Sequence, residues 1–296
     1  MVRIRRFRRK WMDINLPAVD RNLARIVERP GLWMSQAELA GLLRDLWTVA
    51  DACVSHPPIR YGVLSGIKER LDSALVTILN DGVSGRPVAF SAATLVEMDV
   101  HGRRQDILHL GLTMVVPGSR KRGLCRALSD PTTLLLLLRN WLRPIWITNV
   151  TQVPAAFGTV AELFDNVFPT AHPGCRPTET HQAIARQLMR HHRTMFGVAT
   201  EAGFDDARFV ITNAYTGGSA PLKKTIAEAS PHRSRAVNEM CATSLDYDRG
   251  DDFLQVGQLT VRAVIRQLLS DPRASRVPRP LLEETTLRAR SDGGAS

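Results

Sequence analysis

The chain has 296 residues, of which 44% are hydrophobic, and its 39 lysine and arginine residues against 29 aspartate and glutamate residues give a net charge of +10. This length and apolar content can supply a buried core, which excludes a disordered chain, a collagen-like repeat and a disulfide-stapled miniprotein. Six positive charges fall in the first ten residues, where there is no acid: Arg3, Arg5, Arg6, Arg8, Arg9 and Lys10. Such an arm is typical of a solvated terminus, or of a segment that binds nucleic acid, an acidic partner or an anionic membrane.

Cysteine usage and hydropathy indicate the compartment. The four cysteines (Cys53, Cys125, Cys175 and Cys241) are too far apart in sequence to form a local CxxC pair. The basic start lacks the apolar segment of a secretory signal, and the most apolar stretch, 134–138, is far shorter than the ~20 residues that cross a bilayer. We therefore expect a cytoplasmic protein that does not contact the membrane.

The first third of the chain is predicted to be helical. Apolar residues at helical spacing predict a helix over 17–29, which ends at Pro30-Gly31. Ser35 and Glu38 form a capping-box pattern, and the apolar stripe behind them predicts a second helix that stops before Pro57.

The middle of the chain predicts strands and then alternating strands and helices. Three apolar runs (73–80, 87–100 and 107–116) are separated by turn residues, which predicts an antiparallel meander. A glycine-bearing loop at 117–123 leads into a helix near Leu124, and Ser129-Asp130-Pro131 predicts a separate helix that runs to Leu142. A strand over 144–150 and a helix over 154–167 follow, so the fold class is mixed α/β.

The last third predicts a long amphipathic helix over 180–196. Its apolar face carries Ile184, Leu188 and Met195, and the opposite face carries Arg186, Arg190 and Arg193. The other predicted elements are two strands and a final helix, at 209–214, 253–256 and 259–269. The tail at 271–296 is rich in Pro, Arg, Ser and Gly and is predicted to be disordered.

The loop before the helix at Leu124 carries the strongest chemical signal. Free N–H groups and the positive dipole end of a helix N-terminus favour a phosphate, and Arg120, Lys121 and Arg122 add three cations. Gly123 lets a phosphate approach the backbone closely. The loop matches neither the Walker A motif nor the GxGxxG dinucleotide motif. An ordinary strand–helix turn with solvated cations is the structural alternative.

The six residues Arg120-Lys121-Arg122-Gly123-Leu124-Cys125 resemble motif A of the GNAT acyltransferase superfamily. In that family Arg/Gln-x-x-Gly-x-Gly/Ala follows the fourth strand and holds the pyrophosphate of coenzyme A; here Cys125 stands where Gly or Ala is usual. The order of elements over about residues 65–170 is also similar. The resemblance implies a GNAT-like, mostly antiparallel sheet flanked by helices, and an acyl-CoA such as acetyl-CoA as co-substrate without a metal.

The resemblance also implies a division of the chain. We predict a basic arm with N-terminal helices at 1–60 and a GNAT-like acyl-donor-binding core at 61–170. A C-terminal α/β extension on the substrate side at 171–270 and the tail at 271–296 complete the chain.

Site residues are implied by the same resemblance. The strand before the loop splays from its neighbour in the family and pairs with the pantetheine arm, a role that maps onto Met114, Val115 and Val116. Polar groups after the next strand, here Asn149, Thr151 and Gln152, contact the same arm.

The acid and base that the resemblance implies have no obvious counterpart. Many members use a tyrosine in the helix after the fifth strand as general acid, but here that helix offers Phe157 and no tyrosine. His109 and Glu97 are the candidate bases, although a strand histidine is more often a hydrogen-bonded structural group. Tyr247 is a candidate replacement acid.

Four other groups of polar residues each have a structural alternative to a functional role. The spacing of His181, His191 and His192 does not predict a metal site, and the acidic turn 246–252 lacks the EF-hand spacing for calcium. This turn is either solvated or an acidic subsite for an amine. The segment 215–219 with Lys223 and Lys224 is either a second phosphate loop or a glycine hinge with exposed lysines. The arginines 186, 190 and 193 are either a solvated helix face or a track for a polyanion.

Three functions are compatible with these patterns. The first is an acyltransferase that moves an acyl group from an acyl-CoA-type thioester to an amine acceptor by direct attack. The second is a GNAT-fold transferase whose donor is aminoacyl-tRNA or a carrier protein, with tRNA bound along the basic arm, Arg120 to Arg122 and the arginine stripe. The third is a non-catalytic nucleic-acid-binding protein, for which stacking aromatics near the basic patch are expected.

Overall fold

The structure is a computed structural model that describes residues 11–54, 62–120, 122–216 and 219–270. The basic arm, Lys121 and the tail at 271–296 lie outside the described residues. The strands are β1 (Asp13–Pro17), β2 (Leu23–Glu28), β3 (Ala74–Asn80), β4 (Pro87–Val100), β5 (Arg103–Val115), β6 (Ile145–Thr151), β7 (Asp165–Phe168), β8 (Gly203–Asp205), β9 (Val210–Thr212) and β10 (Asp252–Leu259). The helices are α1 (Gln36–Cys53), α2 (Lys68–Asp72), α3 (Leu124–Arg139), α4 (Pro154–Leu163), α5 (Glu179–Gln187), α6 (Arg235–Ser244) and α7 (Val261–Ser270).

The described strands form one ten-stranded sheet. Its order is β1-β2-β3-β4-β5-β6-β10-β9-β8, with β7 also paired to β10, and every pairing is antiparallel except that of β5 with β6. The predicted meander is formed by β3, β4 and β5, which pair consecutively and antiparallel and are joined by short connections. The predicted mixed α/β class, with a mostly antiparallel sheet flanked by helices, is confirmed. Strands from the predicted C-terminal extension pair into the same sheet as the core.

Helices cover both faces of the sheet. Side chains alternate along β4, so Phe90 and Ala92 pack against α1 on one face. On the opposite face Ala89 packs against the start of α3 and Leu95 against its end. No helix within the described residues has the length and apolar character needed to cross a membrane.

The N-terminal segment differs from the prediction. The helix predicted over 17–29 is wrong, because β1 and β2 form a hairpin there and β2 pairs with β3. Leu23, Ile26 and Val27 fit a helical period and a strand equally well, and pairing with β3 decides between them. The second helix is confirmed as α1: Ser35 Oγ accepts from the Glu38 N–H at 3.3 Å, and Glu38 Oε2 accepts from the Ser35 N–H at 2.8 Å.

The separate helix predicted from Ser129 is also wrong, because α3 runs without a break through Pro131. The threonines after the proline donate to carbonyls one turn back, Thr132 to Leu128 at 2.8 Å and Thr133 to Ser129 at 3.0 Å. Leu128, Leu136 and Leu137 are buried on both sides of the proline. Packing therefore outweighs the hydrogen bond that a proline removes from a helix.

Two other helices end earlier than the sequence predicts. The helix predicted over 154–167 ends at Leu163, and its last predicted residues belong to β7. The helix predicted over 180–196 ends as α5 at Gln187 and continues as a π-helical turn, Leu188–His192, and a 3₁₀ turn, Arg193–Phe196.

Candidate active site

The centre of the sheet opens where β5 and β6 run side by side. Their parallel register comprises the pairs Leu108–Ile147, His109–Thr148 and Leu110–Asn149. Beyond this point β5 stays paired with β4 as far as Val115, and β6 stays paired with β10 as far as Thr151. Pairing between the two central strands therefore ends here, and the separation between β5 after Leu110 and β6 after Asn149 is named the splay.

A bulge in β5 shapes the start of the splay. The register with β4 shifts between Ser91 and Ala93, so that Gly111 and Leu112 both face the single residue Ala92. A Cβ at Gly111 would lie 2.5 Å from the Ala92 carbonyl oxygen, so only glycine fits this approach. After the bulge Leu112 packs toward α1, whereas Leu110 packs toward α3.

Of the three predicted backbone contacts, Met114, Val115 and Val116, the strand turns one, Val115, toward the splay. The Val116 N–H donates to the Val88 carbonyl of β4 at 3.0 Å. Since neighbours along an antiparallel strand point their backbone groups in opposite directions, Val115 turns its N–H and C=O away from β4 and toward the splay. Its carbonyl accepts from Arg120 Nε at 3.2 Å and from Cys53 Sγ at 3.3 Å.

The cationic loop lies between the splay and α3. Gly123 is the N-cap residue of α3 with φ 77°, a left-handed conformation that favours glycine. Arg122 Nε forms an exposed ion pair with Asp20 Oδ2 at 3.0 Å. Leu124 is buried against Leu79 of β3 and Ala89 of β4, and Cys125 is exposed. The loop thus joins the helix N-terminus to two arginines, each of which has a contact within the protein.

The other wall of the splay, the β6 wall, carries buried amide side chains. Asn149 donates to Gln255 Oε1 at 3.0 Å, and Gln255 donates to the Phe157 and Pro169 carbonyls at 3.1 and 3.2 Å. Gln152 is only 1% exposed, yet both its amide nitrogen and its amide oxygen have no hydrogen-bond partner within the described residues. A buried polar group without a partner costs free energy, so Gln152 is a candidate ligand contact.

His109 lies on β5 at the level where the splay begins. Its Nδ1 contacts Thr148 Oγ1 at 2.9 Å, and its ring stacks on Phe196 with centroids 4.6 Å apart. Burial lowers the pKa of His109 to about 4, and its Nε2 has no partner in the described part of the chain. The ring is therefore neutral at pH 7 and packed as a core side chain.

The other two predicted catalytic residues lie apart from His109. Glu97 is exposed, pairs with Arg104 and sits opposite Asp106, toward the far end of β4 from the splay. Tyr247 is buried and donates to the Gln152 carbonyl at 2.7 Å, and burial raises its pKa. The structure thus brings Tyr247 to the β6 side of the splay and leaves Glu97 outside it.

The acidic turn before β10 contains two neighbouring buried carboxylates. Arg249 binds both oxygens of Asp251, at 2.8 and 2.6 Å. Asp252 accepts from Tyr215 at 2.9 Å, and burial raises the pKa of Asp252 to about 7. The sequence left the turn 246–252 as either solvated or an acidic subsite and the segment 215–219 as either a phosphate loop or a glycine hinge, and it did not pair Tyr215 with Asp252.

The three arginines predicted as a stripe line one open cleft of about 550 Å³, together with His191 of the π-helical turn. Arg186 Nε pairs with Asp206 at 2.9 Å, and Arg193 donates to the Thr200 and Ala202 carbonyls at 2.9 and 2.8 Å. Arg190 has no hydrogen bond or ion pair to another described residue. No three His, Cys, Asp or Glu side chains within the described ranges are grouped to hold a metal ion.

No protein-family model and no curated protein matches the chain. A solved protein of unknown function from Enterococcus faecalis, described as a candidate N-acyltransferase, is 12% identical over 48% of this chain with a TM-score of 0.33; the match spans 32% of that protein. A candidate GNAT acetyltransferase from Desulfovibrio desulfuricans is 11% identical over 44% of this chain and 73% of its own, with a TM-score of 0.29. A bacterial toxin is 19% identical over 49% of this chain and 89% of its own, with a TM-score of 0.32. Overlaps of this size do not place the chain in a family, so the function proposed below is derived from the site.

Proposed function

We propose that this protein is an acyltransferase that binds an acyl-CoA-type thioester in the splay and passes its acyl group to an amine acceptor. One observation carries the proposal: β5 and β6 stop pairing after Leu110 and Asn149, the chain that leaves β5 leads to the N-terminus of α3, and the chain that leaves β6 leads to the unpartnered, buried Gln152. A long donor with a charged end and an amide-containing arm fits both features.

The cationic loop is assigned to the phosphate end of the donor. The first N–H groups of α3 have no helical partners, and Gly123 leaves space beside them, since a Cβ there would meet nothing within 4 Å. Arg120 and Arg122 lie in the same loop. Their present partners are a carbonyl and an exposed carboxylate, and exposed ion pairs contribute little free energy, so both arginines are available to exchange them for a phosphate.

The inner splay is assigned to the arm and the reacting carbonyl of the donor. Gln152 has an amide donor and an acceptor to offer to an amide of the arm. The Val115 N–H would stabilise the negative charge that develops on the thioester oxygen when an amine attacks. The attack forms a C–N bond and breaks the C–S bond, and the proton that the amine nitrogen loses balances the one that the leaving thiolate takes up to give a free thiol.

The decisive experiment is thermal protection by acetyl-CoA and by longer acyl-CoAs. We expect the melting temperature of the wild type to rise with ligand concentration. Gly123→Asp adds a negative charge at the phosphate position and is expected to abolish the rise. Gly123→Asn is the matched control, because it has the same size and the same backbone strain without the charge, and we expect it to keep most of the protection. A wild type whose melting temperature no CoA thioester changes would overturn the proposal.

A second candidate donor is aminoacyl-tRNA, favoured by the cleft that Arg186, Arg190 and Arg193 line. Because Arg186 and Arg193 have partners within the protein, Arg190 and His191 would provide most of the contacts to phosphate. Binding of tRNA should then be strong at low salt, fall steeply as salt rises and weaken in Arg190→Glu. Filter binding that detects no tRNA at low salt would exclude this donor. A carrier-protein donor and a non-catalytic nucleic-acid function stay predictions from the sequence.

A further inference from the structure

Two adjacent carboxylates at the start of β10 have opposite environments. Asp251 is ion-paired with Arg249 and also accepts from the Asn213 and Asp246 N–H groups, and these contacts lower its pKa. Asp252 is 4% exposed, and among the described residues its carboxylate accepts one hydrogen bond, from the uncharged Tyr215 hydroxyl. Neighbouring carboxylates with such different surroundings are a mark of acid–base sites.

Asp252 lies at the β6 side of the splay. The last pair of β6 and β10 joins Thr151 to Phe253, so Asp252 is one position further along, beside Gln152. Tyr247 from the same acidic turn donates to the Gln152 carbonyl at 2.7 Å and ties the turn to this strand end.

Described residues on either side of positions 217–218 contact the clusters at both strands of the splay. Tyr215 packs on the cluster that contains Val150. Further along, Ser219 Oγ donates to the Gly197 carbonyl at 2.9 Å, next to the Phe196 ring that covers His109. Leu222 then packs on the cluster that contains Leu112. Tyr215 therefore lies at the β6 side of the splay and Leu222 at the β5 side, and the Tyr215–Asp252 pair belongs to the β6 side.

We propose that Asp252 is the proton acceptor of the acyl transfer and that Tyr215 is its positioning residue; this rests on the proposed function. As the amine nitrogen attacks the thioester carbonyl, the C–N bond forms and the nitrogen loses a proton to the Asp252 carboxylate. The C–S bond then breaks, and the leaving thiolate takes up one proton, from protonated Asp252 or from water. The products are an amide and a free thiol, and Asp252 returns to its starting state.

The groups around Asp252 set the pH at which it works. Burial raises its pKa, the hydrogen bond from Tyr215 lowers it, and the charge of Asp251 raises it further. Arg249 is engaged by Asp251, Lys223 donates to the Asp248 carbonyl at 2.5 Å, and the neutral Tyr247 is held by Gln152. A carboxylate with a pKa of about 7 is a far better base near neutrality than His109, whose pKa is about 4.

The test compares wild type, Asp252→Asn, Tyr215→Phe and the matched control Asp248→Asn, which alters an exposed carboxylate of the same turn. Acetyl-CoA is the donor. The acceptors are a panel of primary amines that includes an arylamine, which stays unprotonated over the range, with water in the blank. Release of CoA thiol is followed against pH, and thermal protection by acetyl-CoA is measured in parallel.

We expect kcat/KM of the wild type to rise with pH and to level off above about pH 7. Asp252→Asn should lower the plateau of kcat/KM by about 100-fold or more and remove the rise of kcat/KM below pH 7, which is the acid limb of the profile. Protection by acetyl-CoA should be kept. Tyr215→Phe should move the acid limb to higher pH, because a hydrogen bond that stabilises the carboxylate is lost. Asp248→Asn should match the wild type. A merely structural role for Asp252 would leave the limb in place.

Failure of this inference and failure of the proposed function give different results. An acid limb that persists in Asp252→Asn overturns the role of Asp252. A wild type that acetyl-CoA protects but that releases no thiol with any acceptor also overturns it and leaves donor binding intact. A wild type that acetyl-CoA does not protect overturns the proposed function first.

Discussion

The two walls of the splay are built from different chemistry. The β5 wall leads to an exposed loop with Arg120 and Arg122 and to the N-terminus of α3. The β6 wall carries buried polar groups, with Asn149 bound by Gln255, Gln152 without a partner and Asp252 beside it. Exposed cations bind phosphate without burying a charge, whereas a low-dielectric wall moves the pKa of a carboxyl toward neutrality. Under the proposed function, the β5 wall would hold the donor and the β6 wall would handle the proton.

The largest expected effect comes from two buried glutamines, Gln255 of β10 and Gln152 after β6. The same substitution by methionine should change their unfolding free energies in opposite directions. Gln255→Met removes three buried hydrogen bonds and leaves Asn149 and two carbonyls unpaired, so it should cost about 3–5 kcal/mol of unfolding free energy. Gln152→Met removes a buried amide that has no partner and should gain about 1–2 kcal/mol while it weakens protection by acetyl-CoA. Urea denaturation of both variants measures the contrast. Equal losses of stability would show that Gln152 is bonded in the free protein.

The pH dependence of stability that His109 causes tests whether water reaches its ring at the start of the splay. Its pKa is about 4 in the folded protein and near 6.5 in an unfolded chain, so the unfolded state binds the proton more readily between these values. Stability should therefore be full above about pH 6.5 and should fall by about 3 kcal/mol as the pH drops to 4. His109→Gln should lack this loss, and the difference in unfolding free energy between the two proteins across this pH range isolates it. A constant difference would mean that water reaches the ring.

Gly111 tests the shape of the β5 wall. In Gly111→Ala the new Cβ would lie 2.5 Å from the Ala92 carbonyl oxygen, so the bulge has to shift. We expect a loss of about 1–3 kcal/mol in unfolding free energy and weaker protection by acetyl-CoA. Gly118→Ala is the control, because its Cβ would meet nothing within 4 Å, and it should change stability by less than about 0.5 kcal/mol.

The sequence predicts the β5 side of the splay better than the contacts of the β6 wall. The meander and the loop before α3 are local patterns, and contiguous residues predicted them. The β6 wall joins residues that are distant in sequence: Tyr215 and Asp252 are 37 positions apart, and Tyr247 and Gln152 are 95 apart. That Gln152 lacks a partner is a property of its surroundings, and no pattern in the chain encodes it. The hairpin at 13–28 was missed for a related reason, because pairing with β3 and not local spacing selects it.

The smallest expected effect concerns the ion pair between Arg122 and Asp20. Both side chains are about half exposed, so Asp20→Asn should change unfolding free energy by only a few tenths of a kcal/mol. It should also release Arg122 for the phosphate end of the donor and tighten acetyl-CoA binding by roughly twofold to fivefold at low salt. Because the charges are exposed, this gain should disappear at high salt, whereas the effects of Gln152→Met should persist. Calorimetric titration at two salt concentrations measures both, and a gain that survives high salt would mean that the β5 wall binds the donor by something other than exposed charge.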